Sequence, residues 1–513
     1  MGEEKRNGID SYNVPQEVSI YDMWSYNTTM EELGDKPWWK LPEKFSSLEE
    51  VWEYTKSKEY KEKNLSREAI KIDPEMACQP LGALLAALGI EGTLPYCHGS
   101  QGCASYFRFE FTRHFREPVM EAASSMTEDA AVFGGLSNIV EGLQNAYALY
   151  KPKHIAVFTS CMAEVIGDDL KAFINRAKQK GSIPEDFPIT YANTPSFVGS
   201  HVEGYDSMVR AILEQLAEPK EEKTEKINVI PGFDPYTANI KEIKKLLNIM
   251  GVDYTFVPDW SRTFDYPLGK FEMYPGGTPL EEVKNAVNNK GSVIIGKFSL
   301  KKTAKLIKNK WKQPLQAMEM PIGIEFTDRF IMTVSEMTGK DIPAEIEDMR
   351  GIALDAMTDA YQRFHGVKAA VVGDPDIVYG VSKFLLEMGA KPYYVVSTNG
   401  TKKWQKEMQA LLDSSEFGKG CKAYAGMDLW QLRSLMYEEK PDILIGPCDL
   451  KYYAREFDLP LVRIGLPIMD RFNLHRYPIM GYEGVINLVT FIGNALLDHF
   501  DRICPEVNFD KLR

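Results

Sequence analysis

Short apolar segments that read as buried strands alternate with helical segments along most of this chain of 513 residues. Clear examples of such strands are found in HIAVF (154–158), INVIPGF (227–233) and KAAVVGDPD (368–376). A strand that is buried on both faces appears as a continuous apolar run, and the helices between such strands supply the crossover connections. The pattern therefore predicts an α/β fold in which parallel sheets are flanked by helices.

Two stretches repeat this pattern in similar form. Residues 227–257 and 368–396 each contain a strand, a GFDP or GDPD turn, a helix that ends in Met-Gly, and a second strand. A length of 513 residues suggests about three domains of ordinary size. The charged run EPKEEKTEK (218–226) indicates one boundary. We predict three Rossmann-like domains and two terminal segments: an N-terminal arm at 1–70, α/β domains at 71–222, 223–366 and 367–490, and a C-terminal tail at 491–513.

The predicted N-terminal arm is rich in charge but also in tryptophan. It contains half of the eight tryptophans of the chain, at Trp24, Trp38, Trp39 and Trp52. Disordered tails are poor in aromatic residues. We therefore expect the arm to dock either on the body of its own chain or on a neighbouring chain.

Charge and hydropathy exclude several classes of protein. The net charge of −13 argues against nucleic acid as the main partner, because binding to phosphates needs a basic face. An acidic surface suits a basic protein partner or simple solubility. No apolar run approaches the roughly 20 residues of a membrane span, and the first residues carry no apolar signal-peptide region. We expect a cytoplasmic protein that binds neither nucleic acid nor membrane.

Common nucleotide-binding motifs do not appear in a convincing context. No G-x-G-x-x-G follows a predicted strand, so a nicotinamide or flavin dinucleotide site has no support. The segment GSVIIGKF (291–298) nearly matches a P-loop, but Phe298 stands where Ser or Thr should bind Mg²⁺, and VII reads as the interior of a strand. If the function uses ATP, we expect another chain to bind it.

Three of the seven cysteines share a local setting. Cys78, Cys103 and Cys161 each lie at the predicted N-terminus of a helix, where the helix dipole and free N–H groups favour a thiolate. Thiolates are the cysteine form that binds iron and zinc. Their spacing matches no C-x-x-C pattern, and three thiolates leave a metal site one ligand short, so a ligand from another chain or a non-cysteine ligand is needed. Burial as small apolar residues remains the alternative interpretation.

Nine motifs of the chain, from about residue 45 to the C-terminus, resemble those of one family, the beta chains of nitrogenase molybdenum–iron proteins. They are ACQPLGA, PYCHGSQGC, RHFREP, SMTEDAAVFGG, CMAEVIGDDL, TPSFVGSHV, GDPD, LPLVRIGLPIMDR and GYEG. The resemblance implies an α2β2 heterotetramer with half of an 8Fe-7S P-cluster held by each beta chain. The matching iron ligands are Cys78, Cys103 and Cys161, and Ser196 matches a serine that binds iron when the cluster is oxidised. The alpha chain would supply the missing cysteines and hold the whole iron–molybdenum cofactor.

The resemblance also implies an activity. An iron protein, reduced by ferredoxin or flavodoxin, would hydrolyse ATP and deliver electrons that pass through the P-cluster to the alpha-chain cofactor. There N2 becomes ammonia and H2 is evolved, so we expect no catalytic residue in this chain. Four alternatives remain open: a scaffold that assembles the cofactor, a subunit of light-independent protochlorophyllide reductase, a vanadium or iron-only nitrogenase, and a metal-free α/β binding module.

Two further groups of residues match functional positions of the family. Arg116 and Glu117, with Asp355 and Asp359 from a second beta chain, match a calcium or iron site that bridges the two beta chains. A solvated helix face is the alternative for the two aspartates. Phe133 and Lys402 match positions at the dock for the iron protein; for Phe133 the alternative is burial in the core.

Cys97 and Ser196 each need a separate comment. Cys97, in PYCHGSQGC, departs from the family pattern, and we expect a structural thiol on the same loop as Cys103. For Ser196, a position in T-P-S-F before a helical stretch also suits an N-cap, which is the alternative to a metal ligand.

Overall fold

The computed structural model of the chain describes residues 45–68, 71–269 and 272–504. Within these residues thirteen strands form three sheets, and every pairing between neighbouring strands is parallel. The predicted fold class, α/β with three parallel sheets flanked by helices, is confirmed. The strands are β1 (Thr93–His98), β2 (Ala122–Ala123), β3 (His154–Thr159), β4 (Ile189–Ala192), β5 (Thr224–Pro231), β6 (Tyr254–Phe256), β7 (Asn289–Ile295), β8 (Leu315–Met318), β9 (Lys368–Val372), β10 (Lys391–Ser397), β11 (Lys422–Ala425), β12 (Ile443–Gly446) and β13 (Leu461–Arg463).

The helices fill the connections between these strands and cover the faces of the sheets. Those of the first half of the chain are α1 (Leu48–Thr55), α2 (Lys58–Leu65), α3 (Gln79–Leu88), α4 (Gln101–Phe115), α5 (Glu128–Phe133), α6 (Leu136–Tyr150), α7 (Cys161–Ile166), α8 (Leu170–Gln179), α9 (His201–Leu216) and α10 (Thr237–Ile249). Those that follow are α11 (Leu280–Asn285), α12 (Lys301–Leu306), α13 (Ile324–Thr338), α14 (Ala344–Phe364), α15 (Pro375–Glu387), α16 (Lys402–Asp413), α17 (Leu429–Met436), α18 (Leu450–Phe457) and α19 (Gly481–Ile503). None of the helices within the described ranges combines the length and apolarity needed to cross a bilayer.

Each sheet is wound in both directions from a central pair of strands. The strand orders are β2-β1-β3-β4, β6-β5-β7-β8 and β11-β10-β9-β12-β13. In the first sheet, the connection after β1 leads to β2 at one edge. The connection after β3 leads to β4 at the opposite edge. Ligands of open α/β sheets bind at such a switch in winding direction, beyond the carboxyl ends of the strands.

The strands of the three sheets fall at 93–192, 224–318 and 368–463, one group within each domain that the sequence predicts. The exact domain limits stay a prediction. At the C-terminus, α19 runs without a break from Gly481 to Ile503, through the expected start of a tail at residue 491. Leu488 and Ile492 of this helix are both buried, so the same apolar face continues across that position.

The individual strand predictions agree with the structure, and one helix prediction needs correction. The segment 291–298 forms part of β7 and the turn after it, in line with a strand interior rather than a P-loop. The helix expected after Cys161 is in fact two helices, α7 and α8. Gly167 ends α7 with a positive φ of 78°, a conformation that glycine adopts without steric cost and that breaks the helix.

The described part of the N-terminal arm docks on the body of its own chain. Helices α1 and α2 pack on α17, where the guanidinium of Arg433 lies 4.4 Å from the ring centroid of Trp52 and 4.1 Å from that of Trp430. Asn64 of α2 donates a hydrogen bond of 2.9 Å to the carbonyl oxygen of Trp430. Arg433 is fully buried and pairs with Glu456. The other three tryptophans of the arm, Trp24, Trp38 and Trp39, lie outside the described residues.

Candidate metal centre

Two of the three cysteines follow the central strands of the first sheet. β1 leads into α4, which carries Cys103, and the neighbouring β3 leads into α7, whose first residue is Cys161. The two strands pair along their whole length, from Thr93 with His154 to His98 with Thr159. Both thiols therefore lie at the carboxyl edge of the sheet where its winding direction switches, the usual place for a ligand in this class of fold.

All three cysteines lie at helix N-termini, as predicted. Cys78 is the N-cap residue of α3, Cys103 is the third residue of α4, and Cys161 opens α7. Ser100 caps α4: its hydroxyl oxygen accepts the N–H of Cys103 at 3.5 Å, and the hydroxyl lies 3.3 Å from the sulfur of Cys103. Each sulfur is thus close to the positive end of a helix dipole.

The tertiary structure brings the third cysteine and Ser196 to the same place. The hydroxyl of Ser196 hydrogen-bonds to the thiol of Cys78 and acts to lower its pKa, whereas Cys103 and Cys161 each act to raise it. The net direction is upward, because burial is the largest influence on the pKa of Cys78. For Cys78 the expected lowering of the pKa by the helix dipole is therefore wrong in the protein without metal, since desolvation of the thiolate is the stronger effect.

Gln79 holds the loop that carries Ser196 against Cys78. Its side-chain amide donates hydrogen bonds to the carbonyl oxygens of Pro195, at 2.9 Å, and of Val198. On the other side of Cys78, the backbone N–H of His201 donates to the carbonyl oxygen of Ala77 at 2.9 Å. The residue before Cys78 and the residue after it are thus both tied to the segment 195–201.

Two glycines allow this close approach of α3 and α9. A Cβ atom on Gly82 would overlap the carbonyl oxygen of His201, and one on Gly204 would overlap the carbonyl oxygen of Gln79. The helices cross with their backbones in direct contact, which any larger residue would prevent. The crossing holds Cys78, at the start of α3, beside the loop before α9.

The backbone before Cys161 is fixed in a similar way. The N–H of Ser160 donates to the carbonyl oxygen of His98 at 3.0 Å, and a Cβ atom on Gly99 would overlap the side chain of Ser160. The ring of His98 is buried between the hydroxyl of Ser124 and the carboxylate of Asp168, each at 2.9 Å. The loop before Cys103 is therefore locked against the loop before Cys161.

The donor set suits a cluster of several metal ions better than a single ion. Among the described residues, the three sulfur atoms do not form a group in which all ligand atoms lie within 4.8 Å of one another. Four sulfur ligands of one tetrahedral ion would lie about 4 Å apart, from metal–sulfur distances near 2.3 Å. More widely spaced thiols fit a cluster in which different metal ions bind different cysteines.

The surface around these candidate ligands is open and apolar. Cys161 is exposed, while Cys78 and Cys103 are half-buried. Large apolar side chains close in sequence to the ligand positions are also exposed; they are Tyr106, Val165, Phe197 and Val198. Several exposed apolar side chains around one site are typical of a surface that another protein covers.

The structure decides against the helix-cap alternative for Ser196. The N-cap of α9 is Ser200, which forms a capping box with Glu203. Ser196 lies four residues before the cap and has its hydroxyl on the thiol of Cys78. Ser196 is therefore placed beside Cys78 and not at the start of α9.

Cys97 lies in β1, with its side chain fully buried, and not on a loop with Cys103 as expected. Burial raises the pKa of its thiol well above the usual range. The side chain packs in the main apolar core. Its structural role stays a prediction that this burial favours.

The four residues of the expected cation site are not gathered within one chain. Arg116 ends α4 with φ of 62°, and Glu117 pairs with Arg476 at 3.4 Å. Asp355 and Asp359 are both exposed on α14. Among the described residues of this single chain, these carboxylates form no compact ligand group. A site built from all four needs a second copy of the chain.

The two expected docking residues are both on the surface. Phe133 is the last residue of α5 and is 86% exposed, so burial in the core is wrong for this side chain. Lys402 is the exposed first residue of α16. The acidic residues Glu128 and Asp129 open the same short helix that ends in Phe133.

One compact group of ligand atoms was not predicted from the sequence. Asp73, Glu75 and Asp449 place a carboxylate oxygen each within 4.8 Å of the others. Asp449 is separated from the other two by more than 370 residues, so no local motif could reveal the group. Gln79 was also missed, although it directly follows Cys78.

Comparison with known proteins shows the class of protein to which this fold belongs. Residues 78–497 match the family of nitrogenase component 1 type oxidoreductases. A chain of the solved structure described as nitrogenase Cp1 at pH 6.5 superposes with a TM-score of 0.85 at 44% sequence identity, covering 87% of this chain and 98% of that one. The protein is thus an oxidoreductase of the nitrogenase component 1 class.

Comparison with individual relatives identifies the family within this class. The chain is 50% identical to the nitrogenase molybdenum-iron protein beta chain of Nostoc sp. over 91% of this chain and 92% of that protein. It is 48% identical to the corresponding beta chain of Azotobacter vinelandii, over 88% and 89%. The chain belongs to the family of nitrogenase molybdenum–iron protein beta chains and functions in nitrogen fixation. This decides against the assembly scaffold, the protochlorophyllide reductase subunit and the metal-free module.

Proposed function

We propose that this chain is the electron-relay subunit of a cytoplasmic α2β2 dinitrogenase and holds half of an 8Fe-7S P-cluster. The main support for this proposal is that Cys78, Cys103, Cys161 and Ser196 lie close together on one open, apolar part of the surface. An alpha chain would cover this edge, supply the remaining thiolates and hold the iron–molybdenum cofactor. When bound, an iron–sulfur cluster supplies reversible uptake and release of electrons.

The residues of this chain would set the properties of such a site. Cys78, Cys103 and Cys161 would hold iron as thiolates, and metal binding offsets the cost of removing the proton from each thiol. The hydroxyl of Ser100, 3.3 Å from the sulfur of Cys103, is placed to donate a hydrogen bond to that sulfur. Hydrogen bonds to ligand sulfur and exclusion of water both shift the reduction potential of a cluster.

Two surface sites complete the proposal. Phe133 and Lys402 would dock the ATP-hydrolysing iron protein, an exposed aromatic anchor beside charged groups being suited to a transient interface. Glu117, with the carbonyl oxygen of Arg116, would bind calcium or iron together with Asp355 and Asp359 of a second beta chain. Carboxylate and carbonyl oxygens are suitable ligands for both ions. Burial raises the pKa of Glu117, and a bound cation would reverse this.

Analysis of iron and acid-labile sulfide in the assembled protein tests the relay function. We expect both elements in the protein that copurifies with its alpha chain, and reduction of N2 only when the iron protein and ATP are added. Because the proposal places three thiolates on one multi-iron site, it requires both iron and sulfide. An assembled protein that contains iron but no sulfide would contradict it.

Replacement of Ser196 by alanine should change redox behaviour without loss of iron. An alkoxide is a harder ligand than a thiolate and prefers the more highly charged ion, so Ser196 would bind only after oxidation and release its proton on binding. We expect Ser196→Ala to leave the iron content almost unchanged, shift the potential of the oxidised couple and remove its dependence on pH. Redox titration at two pH values is the measurement.

A stability control separates this role from a structural one. Since Ser200 caps α9, Ser196→Ala should not show the loss of about 1 kcal/mol that removal of a cap causes. Ser200→Ala should show that loss and keep the pH-dependent potential. If Ser196→Ala keeps both the potential and its pH dependence, the serine is not an iron ligand.

A further inference from the structure

Three carboxylates from distant parts of the chain meet in one place. Asp73 and Glu75 precede α3, and Asp449 is the residue before α18. One carboxylate oxygen from each lies within 4.8 Å of the other two. Oxygen ligands at 2.3–2.6 Å from a calcium ion lie at most about 5.2 Å apart, so a single ion can contact all three.

One oxygen of these carboxylates lacks a hydrogen-bond partner in the interior, although the same carboxylate accepts the backbone N–H of Asp449. Glu75 is 7% exposed, and its Oε1 atom is buried and accepts no hydrogen bond. A buried carboxylate oxygen without a donor loses its hydration and gains nothing in return, which costs several kcal/mol. Because this carboxylate belongs to the compact group, a cation between the three would satisfy it.

The hydrogen bonds of Asp73 and Asp449 engage one oxygen of each carboxylate. Asp73 accepts the hydroxyl of Tyr453 at 3.0 Å through Oδ2, and the thiol of Cys448 lies 3.6 Å from Oδ1 of Asp449. Each of these two carboxylates keeps one oxygen outside these contacts. Lys451 is the positive charge that acts on Asp73, but its ammonium lies over the ring of Tyr452, 4.9 Å from the centroid.

Burial and mutual repulsion disfavour the ionised forms of these carboxyl groups. Burial, followed by the charge of Asp449, raises the pKa of Asp73 to about 7, and burial raises that of Glu75 well above its usual range. Burial and then Asp449 also raise the pKa of the nearby Glu110 to about 7. These carboxylates destabilise one another when ionised, and either protons or a cation must offset the repulsion.

We infer that Asp73, Glu75 and Asp449 form a binding site for a divalent cation that prefers oxygen ligands, such as Ca²⁺, Mg²⁺ or Mn²⁺. Carboxylate oxygens without sulfur or imidazole favour these ions over zinc or copper. The site ties the segment that leads into Cys78 to the N-terminus of α18 in the third domain. It is independent of the P-cluster ligands and of the cation site proposed between two beta chains.

Binding of Mn²⁺ by the assembled protein tests the site. After dialysis against a chelator, the protein is titrated with Mn²⁺, and free Mn²⁺ is followed by its electron paramagnetic resonance signal. We expect the wild type to bind one more Mn²⁺ per chain than the Asp73→Asn/Glu75→Gln double variant, and Ca²⁺ to compete for that site. The matched control Asp413→Asn/Glu416→Gln, which changes two exposed acids in the same way, should bind like the wild type.

Two further measurements make the result decisive. Glu117→Gln should remove at most the ion proposed between two beta chains and leave the ion at Asp73. Anomalous diffraction from wild-type crystals soaked in Mn²⁺ should place a peak between the three carboxylates, a readout that does not depend on whether the double variant assembles. Equal Mn²⁺ binding by the wild type and the double variant, or a cationic side chain of the alpha chain in place of the peak, would overturn the inference.

Discussion

Replacing Cys78, Cys103 or Cys161 by alanine is expected to abolish N2 reduction and to lower the iron content of the assembled protein. Each change removes one thiolate from the proposed multi-iron site. Cys97, the other cysteine in the segment that contains Cys103, is fully buried in β1. Iron analysis and turnover with saturating iron protein are the two measurements.

The alternative, in which these thiols only pack as apolar groups, predicts a different result. Removal of one sulfur atom from a packed site costs on the order of 1 kcal/mol and would leave iron content and turnover unchanged. Cys161 is exposed, so its replacement should not affect stability at all on that view. An alanine variant with full iron content and wild-type turnover would remove that position from the ligand set.

Cys97→Ala is the matched control for this series. Cys97 lies six residues before Cys103, but its side chain is in the core and has no contact with solvent. We expect a loss of about 1 kcal/mol in the free energy of unfolding and normal iron content. This contrast between Cys97→Ala and Cys103→Ala separates ligation from packing within one segment of seven residues.

The second large effect is expected for Phe133→Ala, which should reduce turnover driven by the iron protein by about 10- to 100-fold. Truncation of an aromatic anchor at an interface costs about 2 kcal/mol or more of binding free energy, and each 1.4 kcal/mol corresponds to a factor of ten. Turnover measured across a range of iron-protein concentrations should show a higher concentration for half-maximal rate.

Stability and cluster content separate a docking role from a general defect. Because Phe133 is 86% exposed, its replacement should change the free energy of unfolding by no more than about 0.5 kcal/mol and leave the iron content intact. Phe472→Ala is a matched control, since that ring is 75% exposed and lies against Arg116 rather than on α5. If Phe133→Ala couples to the iron protein as the wild type does, or if Phe472→Ala loses coupling equally, the docking assignment fails.

Features that depend on short stretches of chain could be predicted from the sequence. The apolar runs predicted the strands β3, β5 and β9, because a strand that is buried on both faces must be apolar throughout. The helix starts at Cys78, Cys103 and Cys161 were predicted for a similar reason. Proline, glycine and serine act on the backbone within one or two turns, so their effect is visible locally.

Features that depend on distant contacts were missed or left open. Ser196 and Ser200 both precede a helix, and only the structure shows that Ser200 caps α9 while Ser196 contacts the thiol of Cys78. The sequence also could not tell whether Phe133 is buried or exposed, because its surroundings are set by the elements that pack around α5. The docking of Trp52 on α17 could not be distinguished from docking on another chain.

The α/β class, the three helix N-termini that carry cysteines and, through the motifs, the family could all be read from the amino-acid sequence. Which side chains come into contact became visible in the folded chain. Burial of Cys78 raises the pKa that the helix dipole was expected to lower, because desolvation depends on everything packed around the thiol. The group of Asp73, Glu75 and Asp449 exists only after α18 has docked beside the segment that leads into α3. Backbone preferences act over a few residues. Solvation and charge interactions depend on which groups lie close together, and these distances are set by the tertiary fold.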